Sequence, residues 1–356
     1  TRIGSSAASD VYKRQNGLRF PQSVIYKESN FIHIGIYCMP HLEPLPDAED
    51  QIFDAVDNNW VDNHAPYWSR PFLKLSRMDR PIGTWLLLLP CWWGLLIGIL
   101  SNGSPRFYDL WILVACAFGA VLMRGSGCTW NDINDREIDG KVLRTKLRPI
   151  PSGSITVRTA ALWMIIQAII AFLILLTFNI TAIALGFIAI LPVAIYPFAK
   201  RFTWWPQFFL GIAFNWGVLL AFAASTNFLN WPCFLLYLAG ISWTLFYDTI
   251  YAHQDKEDDA MLGVKSTAIL FGDKTKIWLL IFASIAAGLM TLSFISSASG
   301  LEMFIAVAGA LFFYLHMVLQ VIKLDIKNSQ NLLDTFRSNR NTGFIPVIFL
   351  IASVLF

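Results

Sequence analysis

Charged side chains are scarce in this chain. Asp, Glu, Lys and Arg make up 14% of its 356 residues, against about 25% in a typical soluble domain. Hydrophobic residues reach 56%. That balance excludes an ordinary water-soluble globule and indicates a protein built for hydrocarbon. Cysteine is sparse and unpatterned. Cys38, Cys91, Cys116, Cys128 and Cys233 have no metal-ligand spacing and frame no disulfide scaffold. Cys91, Cys116 and Cys233 fall within or at the ends of apolar runs, where a thiol serves as a packing group. The net charge of +3 points to no nucleic-acid partner; where the charges sit matters more.

The start of the chain stands apart. Ser5-Ser6-Ala7-Ala8-Ser9-Asp10-Val11-Tyr12-Lys13-Arg14-Gln15 resembles the translation of a common sequencing adapter. Residues 1–15 are therefore set aside from fold reasoning. Residues 16–75 read as a more polar lead-in on the cytoplasmic side, lying at the membrane interface. Within it, 47–60 has helical spacing, with Ile52, Phe53 and Val56 on one face. Trp60, Tyr67, Trp68 and Phe72 are expected as interfacial anchors. Residues 76–356 read as one membrane domain.

A bilayer-crossing helix needs about 20 mostly apolar residues. The candidates are 82–100, 110–128, 160–178, 181–198, 208–224, 232–246, 277–295, 303–322 and a short last stretch, 343–356. Pro90, Gly94, Pro192 and Gly211 lie inside them, as membrane helices tolerate. The expected fold class is all-α: a polytopic membrane protein with nine transmembrane helices. Lys and Arg crowd the lead-in and every second loop. Arg70, Lys74, Arg77 and Arg80 precede the first span, and Lys200 and Arg201 follow the fourth. The intervening loops hold only Arg106. The positive-inside rule puts the basic side in the cytoplasm of a bacterial inner membrane, or alternatively in the matrix of a mitochondrion.

Two acid clusters share that side. One is Asn131-Asp132-Ile133-Asn134-Asp135-Arg136-Glu137-Ile138-Asp139; the other runs from Asp248 to Asp259. Carboxylates close to hydrocarbon are expensive and mark function by default. At helical spacing Asp132, Asp135 and Asp139 fall within about 60° of arc. Asp248, Tyr251, Asp255 and Asp259 share a face by the same count, and Asp258 points off it. Two such stripes repel a diphosphate unless cations lie between them. Mg²⁺ fits, because it takes oxygen ligands and is often held by carboxylates plus substrate phosphates. Arg144, Lys146, Arg148, Lys200 and Arg201 are available to the outer phosphate oxygens. A calcium loop of the EF-hand type fails, since the sixth position from Asp132 is Glu137 where a Gly is needed. The plain alternative, solvated loop acids, suits one run better than two matching stripes. His253 reads as a neighbour of the site. Asn215, inside the fifth span, either bridges helices or touches a substrate.

These residues carry a resemblance. Asn131-Asp132-x-x-Asp135-x-x-x-Asp139, followed by Arg144-Thr145-Lys146-x-Arg148-Pro149, resembles the first signature of the UbiA superfamily of intramembrane prenyltransferases. Tyr247-Asp248-Thr249-Ile250-Tyr251-Ala252-His253-Gln254-Asp255, running on to Asp259 and Lys265, resembles the second. Arg80-Pro81-Ile82-Gly83-Thr84-Trp85 and Tyr196-Pro197-Phe198-Ala199-Lys200-Arg201 look like further landmarks. The match runs from about Trp68 to the end. Its wording is nearest to the branch that prenylates 4-hydroxybenzoate for ubiquinone synthesis.

The resemblance implies a central cavity open sideways to lipid. It implies a Mg²⁺-polyprenyl diphosphate site at Asn131, Asp132, Asp135, Asp139, Asp255 and Asp259. Asp255 and Asp132 are the catalytic candidates, Asp255 as acceptor of the phenol proton. Lys200, Arg201, Arg144 and Arg148 would contact the diphosphate. Arg80 and Tyr251 are candidates for the aromatic acceptor, although snorkelling at a helix start is the more ordinary role for an arginine placed like Arg80. Trp92, Trp93, Phe214, Trp216 and Phe222 are aromatic candidates for an isoprenoid groove. An acceptor other than 4-hydroxybenzoate is the near alternative, and an ion-coupled transporter the distant one. The transporter reading wants acids at mid-membrane and paired inverted repeats; these acids sit at helix ends, and no such repeats stand out.

Overall fold

The computed structural model describes residues 55, 56, 58–142 and 145–356. The adapter-like start, most of the lead-in, Cys38 and Arg144 lie outside them. All that follows belongs to the unit Ala48–Phe356.

Every regular element among the described residues is helical. The lead-in ends in α1, Trp60–Asn63, and α2, Arg70–Leu75. The helix expected over 47–60 does not cover its described part. Asn58 has φ +54°, a left-handed conformation that a helix cannot run through. Helix α1 starts where that one was to end, capped by Asn59, whose side-chain oxygen accepts from Asp62 N at 3.0 Å. Trp60, Tyr67 and Trp68 are exposed, whereas Phe72 packs edge-on against Trp163 at 5.4 Å.

The long helices follow: α3 (Ile82–Asn102), α4 (Phe107–Asp139), α5 (Val157–Leu175), α6 (Ile180–Phe202), α7 (Pro206–Thr226) and α8 (Trp231–Ala252). Two short ones, α9 (Lys256–Leu262) and α10 (Thr267–Phe271), lead through a 3₁₀ turn to α11 (Thr275–Ser297), α12 (Gly300–Lys323) and α13 (Ser329–Leu355). Eight helices among the described residues are long and apolar enough to cross a bilayer. The ninth span, expected at 343–356, is the second half of α13. The first half of α13 carries Asp334, Arg337 and Arg340, and the helix is not among the eight.

Helices α3 and α8 form the middle of the bundle. Helix α3 packs on α7, α13 and α4; α8 packs on α11, α7 and α13. Helices α5 and α6 turn most of their apolar side chains outward, Ile169, Leu173, Ile188 and Leu191 among them, which lipid tails accept as readily as a protein core. Close approach of α3 to α7 depends on Gly94: a Cβ there would lie 2.2 Å from the Val218 carbonyl oxygen. Trp93, Trp243 and Phe313 pack ring on ring at 5.0–6.0 Å, pinning α3, α8 and α12 together. The Trp93 and Trp243 indoles donate to Gly343 O at 2.9 Å and Asn339 Oδ1 at 3.1 Å. Trp93 and Phe222 are thus buried core residues. Asn215 donates to Thr244 Oγ1 at 2.8 Å, so of its two readings the structure takes the bridge between α7 and α8.

Candidate active site

Helix α4 outlasts its apolar stretch by about three turns, and this extension carries the first acid cluster. Asp132, Asp135 and Asp139 are all buried, with exposures of 0%, 1% and 6%. Spacings of three and four residues put them on one face, which turns inward. The loop after the helix folds back on it, with Thr145 Oγ1 donating to Asp139 O at 2.8 Å. Three buried carboxylates on one helix face demand compensating charge.

Bases from three parts of the chain supply it. Arg77 Nη2 lies 2.5 Å from Asp132 Oδ1. Arg148 Nη1 lies 2.8 Å from Asp139 Oδ2 and 3.5 Å from Asp132 Oδ1. Lys200 Nζ, from the last turn of α6, lies 2.5 Å from Asp135 Oδ2. Arg201 donates to Asn134 O at 3.1 Å and stands 3.8 Å from Asp135 Oδ1. The structure thus pairs Arg148, Lys200 and Arg201, candidates for phosphate oxygens, with the acid face itself, and adds Arg77. Arg77 reaches it from a left-handed backbone, φ +57°, which is strained for a non-glycine residue. Burial works to lower the Arg77 pKa, but the Asp132 carboxylate outweighs it and the net shift is upward. Burial, then repulsion from Arg148, pushes the Arg80 guanidinium down to about 10.

The second acid cluster is not the single stripe that its spacing suggests. Helix α8 stops at Ala252, the chain turns through His253 and Gln254, and α9 begins after Asp255. Glu257, Asp258 and Asp259 occupy the first turn of α9, where carboxylates meet the positive end of the helix dipole. That preference starts a new helix instead of prolonging α8. Asp248 and Tyr251 therefore belong to one helix, and Asp255 and Asp259 to the next element, one turn apart through Asp259 N and Asp255 O at 2.8 Å. His253 is buried and bonded to Thr275 Oγ1 at 2.9 Å. Lys265 N donates to Lys200 O at 3.1 Å. Since Lys200 also holds Asp135, this contact brings the ends of both acid segments to one end of the bundle.

A cavity of about 450 Å³ opens beside the first acid face. Asn131, Arg77, Arg80, Arg148, Asp248 and Tyr251 form its polar end. Helices α3 to α7 supply an apolar remainder that includes Phe214 and Trp216. Of the five aromatic candidates for a groove, these two line it. Tyr251 is held by Phe336, ring to ring at 4.6 Å. Cys91, Cys116 and Cys128 also face this space. Among the described residues no group of three or more His, Cys, Asp or Glu side chains forms a ready-made metal cage; on the acid face, bases stand against the carboxylates.

Two arginines escaped the sequence reading. Arg77 was counted for sidedness alone. Arg124 sits inside an apolar span of α4 and lines the cavity; an ionisable group within a span was the signal available.

An integral membrane protein with buried carboxylates, flanking bases and an apolar cavity is the class that this fold and site define. The UbiA prenyltransferase family model matches residues 87–341, and the chain belongs to that family. The rat protein named "4-hydroxybenzoate polyprenyltransferase, mitochondrial" is 42% identical over 299 residues, 83% of this chain and 78% of that one. The Arabidopsis thaliana protein of the same name is 46% identical over 274 residues, 76% of this chain and 67% of its own. Among solved structures, an apo UbiA homolog from Aeropyrum pernix K1 matches with TM-score 0.61 at 22% identity, covering 76% of this chain and 96% of that one. A UbiA homolog from Archaeoglobus fulgidus bound to GPP and Mg²⁺ matches with TM-score 0.61 at 20% identity, covering 80% of this chain and all of that one. These two likenesses are likenesses of fold.

Proposed function

We propose that this protein transfers a polyprenyl group from polyprenyl diphosphate to 4-hydroxybenzoate, at the ring carbon ortho to the hydroxyl and meta to the carboxylate. The observation that carries the reading is the buried acid face, ringed by Arg77, Arg148 and Lys200, at the polar end of an apolar cavity. The relatives named for this reaction, 42% and 46% identical, support the choice of acceptor.

The residues present fit a divalent cation. Asp132 Oδ2 and Asp135 Oδ1 are buried oxygens without a hydrogen-bond partner, and such oxygens suit a hard cation. Asn131, Asp132, Asp135, Asp139, Asp255 and Asp259 would hold Mg²⁺. When bound, it neutralises charge on the departing diphosphate.

The chain's own residues do the rest. Lys200, Arg201 and Arg148, with Arg144 from outside the described residues, bind the phosphate oxygens. As the allylic C–O bond breaks they stabilise the leaving group. The apolar wall keeps water from the allylic cation. The ring carbon attacks it, a C–C bond forms and the ring proton leaves. Asp255 accepts the phenol proton, and Arg80 and Tyr251 face the acceptor. The basic end of the bundle faces the cytoplasm of a bacterium or the matrix of a mitochondrion; the mitochondrial relatives favour the latter.

The test is transfer of labelled polyprenyl diphosphate to 4-hydroxybenzoate in membranes bearing the protein, with and without EDTA. Mg²⁺-dependent 3-polyprenyl-4-hydroxybenzoate is the expected product. No product with the donor still bound would rule out this acceptor. The Asp255→Asn variant is expected to bind donor and lose turnover; unchanged turnover would exclude Asp255 as the base.

A further inference from the structure

Helix α9 lacks support from the rest of the bundle. None of its seven described residues is buried, and the last three, Ala260, Met261 and Leu262, are all exposed. Met261 is 83% exposed. A helix of about two turns does not hold its shape unaided in water and needs an apolar surface against it. The neighbours of its tip are apolar and open as well. Phe202 and Trp204, at the turn between α6 and α7, are exposed. Lys265 joins them to the segment: its Nζ donates to Phe202 O at 3.4 Å and stands 5.6 Å from the centre of the Trp204 ring.

The chain around this patch fixes its depth. Phe202 ends one span and Pro206 begins the next, so the turn between them lies at the headgroup level of a bilayer. The stretch after α9 is tied to that turn. Lys265 N donates to Lys200 O at 3.1 Å, and Thr267 N donates to Gln207 Oε1 at 3.2 Å. Gly263, with φ +70°, closes α9 just before this stretch. The patch is cationic as well as apolar. Lys265 stands in it, and Lys274 and Lys276, both exposed, flank the start of the α11 span. Glu257 and Asp258 lie in the first turn of α9, away from its tip. Helix α9 therefore meets the surface end-on. The patch continues the outward apolar faces of α6 and α7, which lipid covers, so a bilayer is the occupant that fits it.

We infer that the tip of α9 inserts Met261 and Leu262 into the headgroup layer of an anionic bilayer, and that this contact holds the second acid cluster in place for the donor. Asp255 precedes α9 and Asp259 lies within it, so what fixes the helix fixes both. Val264 N donates to Asp259 O at 2.9 Å, tying Asp259 to the turn at the tip. Through Lys265 and Lys200 the same anchor reaches Asp135 of the first cluster. Apolar insertion and the attraction of lysines to anionic headgroups reinforce each other at such a surface. The insertion stands on the structure alone; its effect on the donor rests on the proposed reaction.

The experiment follows hydrogen exchange of residues 256–265 in the membrane-embedded protein, one copy to a lipid nanodisc. The discs hold phosphatidylcholine alone or with phosphatidylglycerol added. Wild type is compared with the double variant Met261→Ser, Leu262→Ser and with Lys265→Gln. Anionic lipid should slow exchange in the wild-type segment by about tenfold, the effect expected when two apolar side chains partly leave water. The double variant loses that protection and its KM for polyprenyl diphosphate rises, while unchanged exchange in α3 and α8 shows the fold intact. Lys265→Gln narrows the difference between the two lipids. Equal exchange in wild type and the double variant overturns the insertion. Equal protection in both lipids overturns the demand for anionic headgroups. Protection that appears only with two copies in a disc assigns the patch to a second copy of the chain instead. Lost protection with an unchanged donor KM overturns the link to the acid cluster. Protection in a wild type that transfers no prenyl group supports the insertion and overturns the proposed reaction.

Discussion

Arg77 Nη2 and Asp132 Oδ1 lie 2.5 Å apart, with Asp132 fully buried and Arg77 6% exposed. The pair joins the segment before the first span to the extended end of α4. Removing one member of a buried pair leaves an uncompensated charge. Arg77→Ala should therefore destabilise the protein by about 3 kcal/mol. Arg148, 3.5 Å from Asp132, is also engaged by Asp139 at 2.8 Å and compensates only part of the loss. Thermal unfolding in detergent measures the loss, and added Mg²⁺ should restore part of it by neutralising Asp132. An unchanged melting temperature would mean that the pair adds nothing.

Lys200 presents a separable case. Its ammonium is a quarter exposed and meets Asp135 at 2.5 Å. Lys200→Met should raise the KM for polyprenyl diphosphate by about tenfold or more, leaving the acceptor KM as it was. A change confined to the acceptor would place Lys200 outside the diphosphate site.

Asp79 gives a pH dependence. Burial, opposed by Arg77, pushes its carboxyl up to about 6, and both of its oxygens lack hydrogen-bond partners. A carboxyl raised in the folded state favours folding below its unfolded value near 3.8, and that advantage is lost as pH rises through about 6. At pH 8 the ionised form costs the fold up to about 3 kcal/mol. Asp79→Asn should raise the melting temperature at pH 8 and leave it unchanged near pH 4. Equal effects at both pH values would contradict a titrating Asp79.

Asn215 tests structure against substrate contact. Its bond to Thr244 crosses from α7 to α8, and hydrogen bonds between membrane helices contribute about 0.6 kcal/mol on average and at most about 1.7. Asn215→Val should shift stability within that range and leave kcat/KM intact. Loss of activity without loss of stability would put Asn215 in the site.

The division between sequence and tertiary structure follows from the range of the forces. Hydrocarbon demands long apolar helices with satisfied backbones, and that demand is local. The spans, the basic side and the acid stripe of Asp132, Asp135 and Asp139 were therefore legible along the chain. Helical periodicity could also be over-read: the stripe through Asp248 and Asp259 broke because three acids after Asp255 begin a helix of their own. The nine expected spans met a similar limit in α13, whose charged first half continues without a break into its apolar second half. What only the tertiary structure decided is which charges meet. Arg77 and Asp132 are 55 residues apart, and Lys200 and Asp135 are 65 apart. Nothing periodic links such positions; helix packing alone brings them together. Arg124 shows the same limit from the other side: its residue type marked it as unusual within a span, but only the packing of α3 and α7 around it, with Gly83 on one side and Phe214 on the other, turns it toward the cavity.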